Sequence, residues 1–266
     1  GASGWQSTGA GLLAGAEKRF DSGLAAGVHL AAGVRRTTLH GDAAQADVRT
    51  ALLGTQALFA PQGWNGFYLA AQARLGVEDA DMERTVLIGP YIRRNRSDWT
   101  ALAGSAMLGA GRDWTWQAGE GTLSAGPLAF VEYAFLQRPG FSEYGEGASR
   151  LHLEGEYFAS LPLTLGMHAL WSTTLANGAG LSLDAMAAWQ HELADPVFHT
   201  RASFRDYGDF SFSSATDTAG RDAMLLQGGV TLESPDRAFF MRLGVGGELF
   251  RDDASAAGAS LSLGWK

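Results

Sequence analysis

His191 and Glu192 stand together in "AWQHEL", residues 188–193. They supply half of H-E-x-x-H, in which two histidines bind zinc and the glutamate acts as base. The second histidine is absent, so the pair predicts no metal site. Asp79 and Asp81 in "DAD", with His199, could polarise a water for hydrolysis, but no D-x-H element accompanies them. Solvated loop carboxylates are the plainer reading. There is no G-x-S-x-G elbow and no P-loop, and "GVGG" at 244–247 lies inside an alternating segment. The chain has no cysteine, which removes disulfides and thiolate metal sites. The residues predict no catalytic group, no metal and no cofactor.

The informative charges lie elsewhere. Glu17, Arg35, Arg74, Glu132, Glu156, Asp184, Glu192, Arg242 and Glu248 fall on the polar faces of segments that alternate with period two. In "LAAGVHLAAGVR", Val28, Leu30 and Val34 oppose Gly27, His29, Gly33 and Arg35. In "FYLAAQARLGVE", Phe67, Leu69, Leu75 and Val77 oppose Gln72, Arg74 and Glu78. In "FFMRLGVGGEL", Phe239, Met241, Leu243 and Val245 oppose Arg242, Gly244 and Glu248. A helix would scatter these charges around its surface.

The elements that carry the charges are long. Globular strands run about 5–6 residues, whereas a membrane-spanning strand needs about 9–11. Alternation of this length predicts an all-β, antiparallel up-and-down barrel, with lipid outside and water inside. A soluble sandwich or lipocalin-like barrel would call for shorter strands and bulkier apolar residues. The nine charged residues then line the lumen. Generic polarity of a barrel lining accounts for them; the alternative is that they have a role of their own, keeping the pore hydrated and pairing across strands.

Composition agrees. The 266 residues carry a net charge of −8, the opposite of the basic stripe expected of a nucleic-acid binder. Mean hydropathy is −0.05, but a barrel averages an apolar exterior with a polar interior. The uncharged run 51–73 is long enough for a membrane helix, yet "PQGWNG" at its middle is a cluster of turn formers.

Connections alternate in length. Short ones are "DSG" (21–23), "PQGWNG" (61–66), "GEG" (119–121), "NGAG" (177–180) and "SPDR" (234–237). Long ones cover 39–45, 79–98, 138–149, 195–222 and 252–256. Strands are expected near 6–20, 24–38, 45–60, 66–80, 98–114, 121–138, 150–173, 180–198, 216–233, 238–251 and 256–266. That is eleven, and single-chain bacterial barrels have an even number, so twelve are expected. Phe20, Phe59, Trp64, Phe67, Trp114, Trp116, Phe239 and Trp265 all lie beside the short turns or the C-terminus, as an aromatic girdle at one membrane interface would. Arg93, Arg94 and Arg96 sit in the 79–98 loop, placed to meet lipopolysaccharide phosphates.

Taken in order, several segments resemble the C-terminal translocator domain of classical autotransporters. They are "GAEKRFDSGLAAGVHLAAG", "WNGFYLAAQARLG", "GPLAFVEYAFLQRPGFSEYGEGA", "AWQHEL", "GRDAMLLQGGVTLE" and the ending "SLGWK". The resemblance covers essentially the whole chain and implies one domain over residues 1–266. It implies a twelve-stranded, non-catalytic barrel in the outer membrane of a Gram-negative bacterium. Such a barrel anchors an upstream passenger and assists its passage, with a linker helix in the lumen. Implied partners are outer-membrane lipid and lipopolysaccharide, the passenger and linker, and the barrel-assembly machinery. A monomer is implied, and no nucleic acid. A porin-like diffusion channel and an outer-membrane hydrolase are the alternatives. In "ASLSLGWK" the lipid face reads Ala259, Leu261, Leu263, Trp265. The family places an aromatic at the next such position, so one residue beyond Lys266 is expected.

Overall fold

The computed structural model describes residues 4–39, 43–145, 147–195, 197–217, 220–251 and 254–265. Its strands are β1 (Trp5–Arg19), β2 (Leu24–Leu39), β3 (Ala44–Phe59), β4 (Phe67–Ile88), β5 (Tyr91–Arg112), β6 (Trp114–Ala118), β7 (Gly121–Arg138), β8 (Phe141–Ser142) and β9 (Tyr144–Gly145). Then come β10 (Leu151–Leu153), β11 (Glu156–Ser160), β12 (Pro162–Thr174), β13 (Gly180–Glu192), β14 (Val197–Phe204), β15 (Tyr207–Asp217), β16 (Asp222–Glu233), β17 (Phe239–Arg251) and β18 (Ala254–Trp265).

All pairing is antiparallel. Eleven strands form a curled wall in the order β1-β2-β3-β4-β5-β7-β12-β13-β16-β17-β18. Among the described residues the end strands β1 and β18 pair with β2 and β17 and not with each other. Strands β6 and β11 prolong the wall by pairing with β7. No helix among the described residues is long and apolar enough to cross a membrane, and "PQGWNG" forms a short 3-10 turn with Asn65 and Gly66 at positive φ.

Period-two patterning sets the two faces. One exposes Leu30, Leu75, Val245 and Leu261; the other buries His29, Thr164 and Ala188. Short turns are tied by pairs of backbone bonds, Gly23 N–H to Phe20 O at 3.1 Å with Phe20 N–H to Leu24 O at 2.8 Å, and Gly178 N–H to Leu175 O with Leu175 N–H to Ala179 O, both at 2.8 Å. Rings cover glycines on neighbouring strands: Tyr68 on Gly111, Phe135 on Gly104, Trp171 on Gly121 and Phe240 on Gly264. A Cβ at any of these glycines would strike the ring, so the pairs let the wall curl without a gap.

Three expected boundaries change. The stretch 79–98 is not a loop: β4 and β5 stay in register through Ile88↔Tyr91, closed by Gly89 at φ 57°. Charged residues continue the alternation there, because beyond the lipid both faces of a hairpin meet water or protein. At about 3.3 Å per residue the 22-residue strands reach about 70 Å, far more than a bilayer needs. The expected strand 150–173 breaks into β10, β11 and β12, at Gly155 and before Pro162. Gly155 lies tightly against the backbone of Gly140, where a Cβ would come within 3.1 Å of its nitrogen, and proline cannot donate to the ladder. The stretch 195–222 contains a hairpin, β14–β15, which joins β10 and β8 in a separate four-stranded sheet. The hairpin therefore adds no strand to the wall.

Candidate functional site

The concave face carries the polar residues. Glu17 accepts a hydrogen bond at 3.2 Å from Gln56 of β3. Arg35 stands level with Val48 and, one strand on, Ala80. Arg74 stands level with Gly54 and Ser105, and Glu132 with Met107. Asp184 and Arg242 are brought together at 2.5 Å, across β16. Glu248 pairs with Arg251, whose Nη2 also donates to Gln190 at 2.8 Å. Glu192 is held by the Ser160 hydroxyl at 2.5 Å and the Leu161 N–H at 2.7 Å, so it fastens the β11–β12 corner. Glu156 is withdrawn from the channel: it pairs with Arg138 at 2.9 Å, and both side chains are about 10 % exposed. The sequence placed it on the lumen face because its parity is right; the break before Pro162 and the β14 backbone, whose Arg201 N–H it accepts at 3.1 Å, bury it.

At the long-loop end the small sheet packs on the face of β4–β5 that lower down lines the lumen. Phe141 stacks on Trp99 with centroids 4.4 Å apart. Glu143, 1 % exposed, accepts from Arg84 Nε at 2.7 Å and Nη2 at 2.6 Å, from Asn95 at 3.1 Å and from the Leu151 N–H at 2.8 Å. Four donors on one buried carboxylate clamp Glu143, and Leu151 with it, to the wall. Sequence reading missed this cluster, since Arg84 and Glu143 are 59 residues apart.

A second missed group lies at the short-turn end of the lumen. His168 Nε2 stands 2.7 Å from Asp113 and 3.3 Å from the Tyr68 hydroxyl. Asp113 interrupts the ladder between β5 and β6, where Gly126 of β7 leaves no side chain in the way. The only sequence signal was the inward phase of Tyr68 and His168.

The eight girdle aromatics share the convex face. Phe59 meets Trp64 edge-on at 5.2 Å, and Phe239 meets Trp265 at 5.6 Å. The Arg112 guanidinium lies over Phe67 at 4.8 Å and Trp114 at 5.0 Å, and Lys18 over Phe20 at 5.3 Å. Trp116, half exposed, completes the set. Toward the long loops the same face carries Tyr133, Phe135 and Tyr157 in contact, and Trp189 stacked on His191.

The family model for the autotransporter beta-domain matches residues 1–245. The chain belongs to this family. No curated protein sequence matches it. Among solved structures it is similar to the translocator domain of the autotransporter NalP from Neisseria meningitidis, at a TM-score of 0.75 and 13 % identity, over 98 % of this chain and 81 % of that one. It is also similar to the beta domain of the Bordetella autotransporter BrkA, at a TM-score of 0.62 and 17 % identity, over 97 % and 88 % of the two chains. The transport unit of AIDA-I from Escherichia coli gives 0.59 and 12 %, over 98 % and 84 %. These identities support the fold; the family match carries the function. This autotransporter β-domain is an outer-membrane β-barrel for passenger secretion.

The candidate hydrolytic residues of the β-domain are not gathered. Asp79 and Asp81 face outward and pair with Arg49, both at 3.8 Å, while His199 lies in the small sheet. His191 faces outward and pairs with Asp222 at 2.9 Å, which also accepts from Trp189. The three loop arginines divide as well. Arg94 and Arg96 turn outward to Glu83, at 3.8 and 2.9 Å, and Arg93 lies near Tyr91.

Proposed function

We propose that residues 1–266 form one domain without catalytic activity, whose lumen holds the linker that joins passenger to barrel. The observation that carries this is the division of the wall: charged and amide side chains on the concave face, leucine, valine and tryptophan on the convex one. A water-filled lumen inside a lipid-facing wall follows from that division. The paired and unpaired charges keep the passage hydrated and grip a polar segment weakly. The convex aromatics hold the barrel at the short-turn interface of a Gram-negative outer membrane. Lipopolysaccharide covers the rest of the convex face, the barrel-assembly machinery inserts the domain, and it acts as a monomer without nucleic acid.

An epitope-tagged segment and helical linker fused ahead of residue 1, behind a secretion signal, tests the reading. The tag should become sensitive to protease added to intact cells. A tag retained in the periplasm, although the barrel assembles, would overturn it and favour a diffusion channel.

A further inference from the structure

Toward the long loops, the outer side of β2–β5 opens into a cavity of about 470 Å³. Its centre is one level of the wall. Thr38 on β2, Gln45 on β3, Glu83 on β4, Arg96 on β5 and Tyr144 on β9 stand there in register. Thr85 and Arg94 face each other two residues further out and line the cavity as well. Asp47 and Asp81, two residues nearer the lipid, form its floor. The period-two pattern sets this polar level on the same face that lower down meets lipid.

The charges there do not cancel in pairs. On the floor, Arg36 holds Asp47 through two bonds, at 2.6 and 3.0 Å. Arg49 stands 3.8 Å from both Asp79 and Asp81. Above them, Arg94 and Arg96 share one carboxylate, Glu83, at 3.8 and 2.9 Å, and their side chains are 69 % and 62 % exposed. Two guanidinium groups on one carboxylate leave a positive charge and spare N–H donors on the outer face. A guanidinium binds phosphate through two parallel bonds. The remaining lining suits a sugar. Thr38, Gln45 and Thr85 donate and accept, and the floor carboxylates accept from hydroxyl groups. Tyr144 is 47 % exposed and offers a ring face to sugar C–H groups. The volume lies within the range of about 300–1,000 Å³ usual for small-molecule sites.

Height decides which sugar. The last apolar level below is Ala32, Ala51, Val77 and Leu102. Along β4, Val77 and Glu83 are six residues apart, a rise of about 20 Å. Strands tilted by about 35–45° turn that into about 15 Å above the lipid edge. The acyl chains end below the cavity, and the sugars that they carry stand beside it.

We propose that this cavity binds a phosphorylated sugar of the lipopolysaccharide core, with Arg94 and Arg96 on the phosphate and Tyr144 against the sugar ring. The inference rests on the reading that the convex face stands in an outer membrane, and it names the residues and the ligand group for one part of that face.

The test uses the full chain refolded in detergent micelles and two fluorescent lipopolysaccharides. One has a phosphorylated core; the other lacks the core phosphates and keeps the same lipid anchor. Anisotropy should show the phosphorylated form binding about tenfold more tightly. Arg94→Gln combined with Arg96→Gln should remove that preference, and Arg96→Lys should keep part of it. Tyr144→Ala should weaken both forms alike and leave the preference in place. Equal binding of the two forms to the unmodified protein would overturn the proposal, whether or not the variants fold. Mannose 6-phosphate displacing the label as well as unlabelled lipopolysaccharide does would assign the site to a free sugar phosphate and overturn the lipid-borne ligand. Inorganic phosphate doing the same would show a plain anion site and overturn sugar recognition. A preference for the phosphorylated core without export of the tagged cargo would sink the secretion reading and leave the site standing. Export without that preference would do the reverse.

Discussion

Asp184 of β13 and Arg242 of β17 meet at 2.5 Å over Gly229, which occupies the strand between them. Any Cβ at 229 would collide with the guanidinium. The glycine is therefore what lets two lumen charges two strands apart reach each other. Gly229→Leu should part them, while Gly229→Ala lets the flexible arginine shift. Both carriers are about one-third exposed, so the coupling is modest. A double-mutant cycle with Asp184→Asn and Arg242→Gln, read by urea unfolding in vesicles, should give about 0.5–1 kcal/mol. A coupling of zero would mean that water screens the pair completely.

The Glu143 clamp should be worth more, because it is dry. Glu143→Gln keeps the shape and leaves the Arg84 charge without its partner. Breaking a buried pair costs about 3–5 kcal/mol, and Arg84 retains some solvent, so about 3 kcal/mol is expected. The loss should be local. Trypsin should cut after Arg150 faster in the variant, with the wall strands still protected. Unchanged cleavage would show that Phe141 on Trp99 holds the small sheet by itself.

What the sequence made legible follows physical range. β2 and β17 could be read because alternation is local: each residue needs only its own neighbours to declare a face. The turns could be read from Gly23 and Asn65, whose conformations few other residues adopt. The β4–β5 extension could not, because Asp79, Asp81, Glu83, Arg94 and Arg96 look like a solvated loop when charge is taken to mean coil. Outside the lipid, a strand's outer face is charged too. The partners of Glu143, and the reach of Asp113 to His168 past Gly126, depend on register between distant segments, which no local pattern encodes.

The convex girdle makes a prediction about depth. Arg112 lies between the rings of Phe67 and Trp114, an arrangement suited to the headgroup region, where a cation and an aromatic face share an interface. In single-tryptophan variants, Trp114 and Trp265 should be quenched by bromines placed near the lipid glycerol and spared by bromines near the acyl ends. Arg112→Ala should cost about 0.5–1 kcal/mol of stability in vesicles. Quenching by the deep bromines would place the membrane edge further toward the short turns.

The turn between β16 and β17 should give stability a dependence on acid. The Ser234 hydroxyl, and then the Ala238 N–H, hold the Asp236 carboxyl below the usual aspartate range. The unfolded chain keeps the ordinary value of about 3.9. A carboxyl lowered on folding contributes stability above the unfolded value and loses it as pH falls through the folded value. Unfolding midpoints of the unmodified protein should therefore drop below about pH 4, and part of that drop should vanish in Asp236→Asn. Ser234→Ala should flatten the profile in the same way, since it removes the principal donor. Parallel acid profiles for the three proteins would show that the turn closes through its backbone bonds, Arg237 N–H to Ser234 O and Ser234 N–H to Phe239 O, without help from the carboxyl.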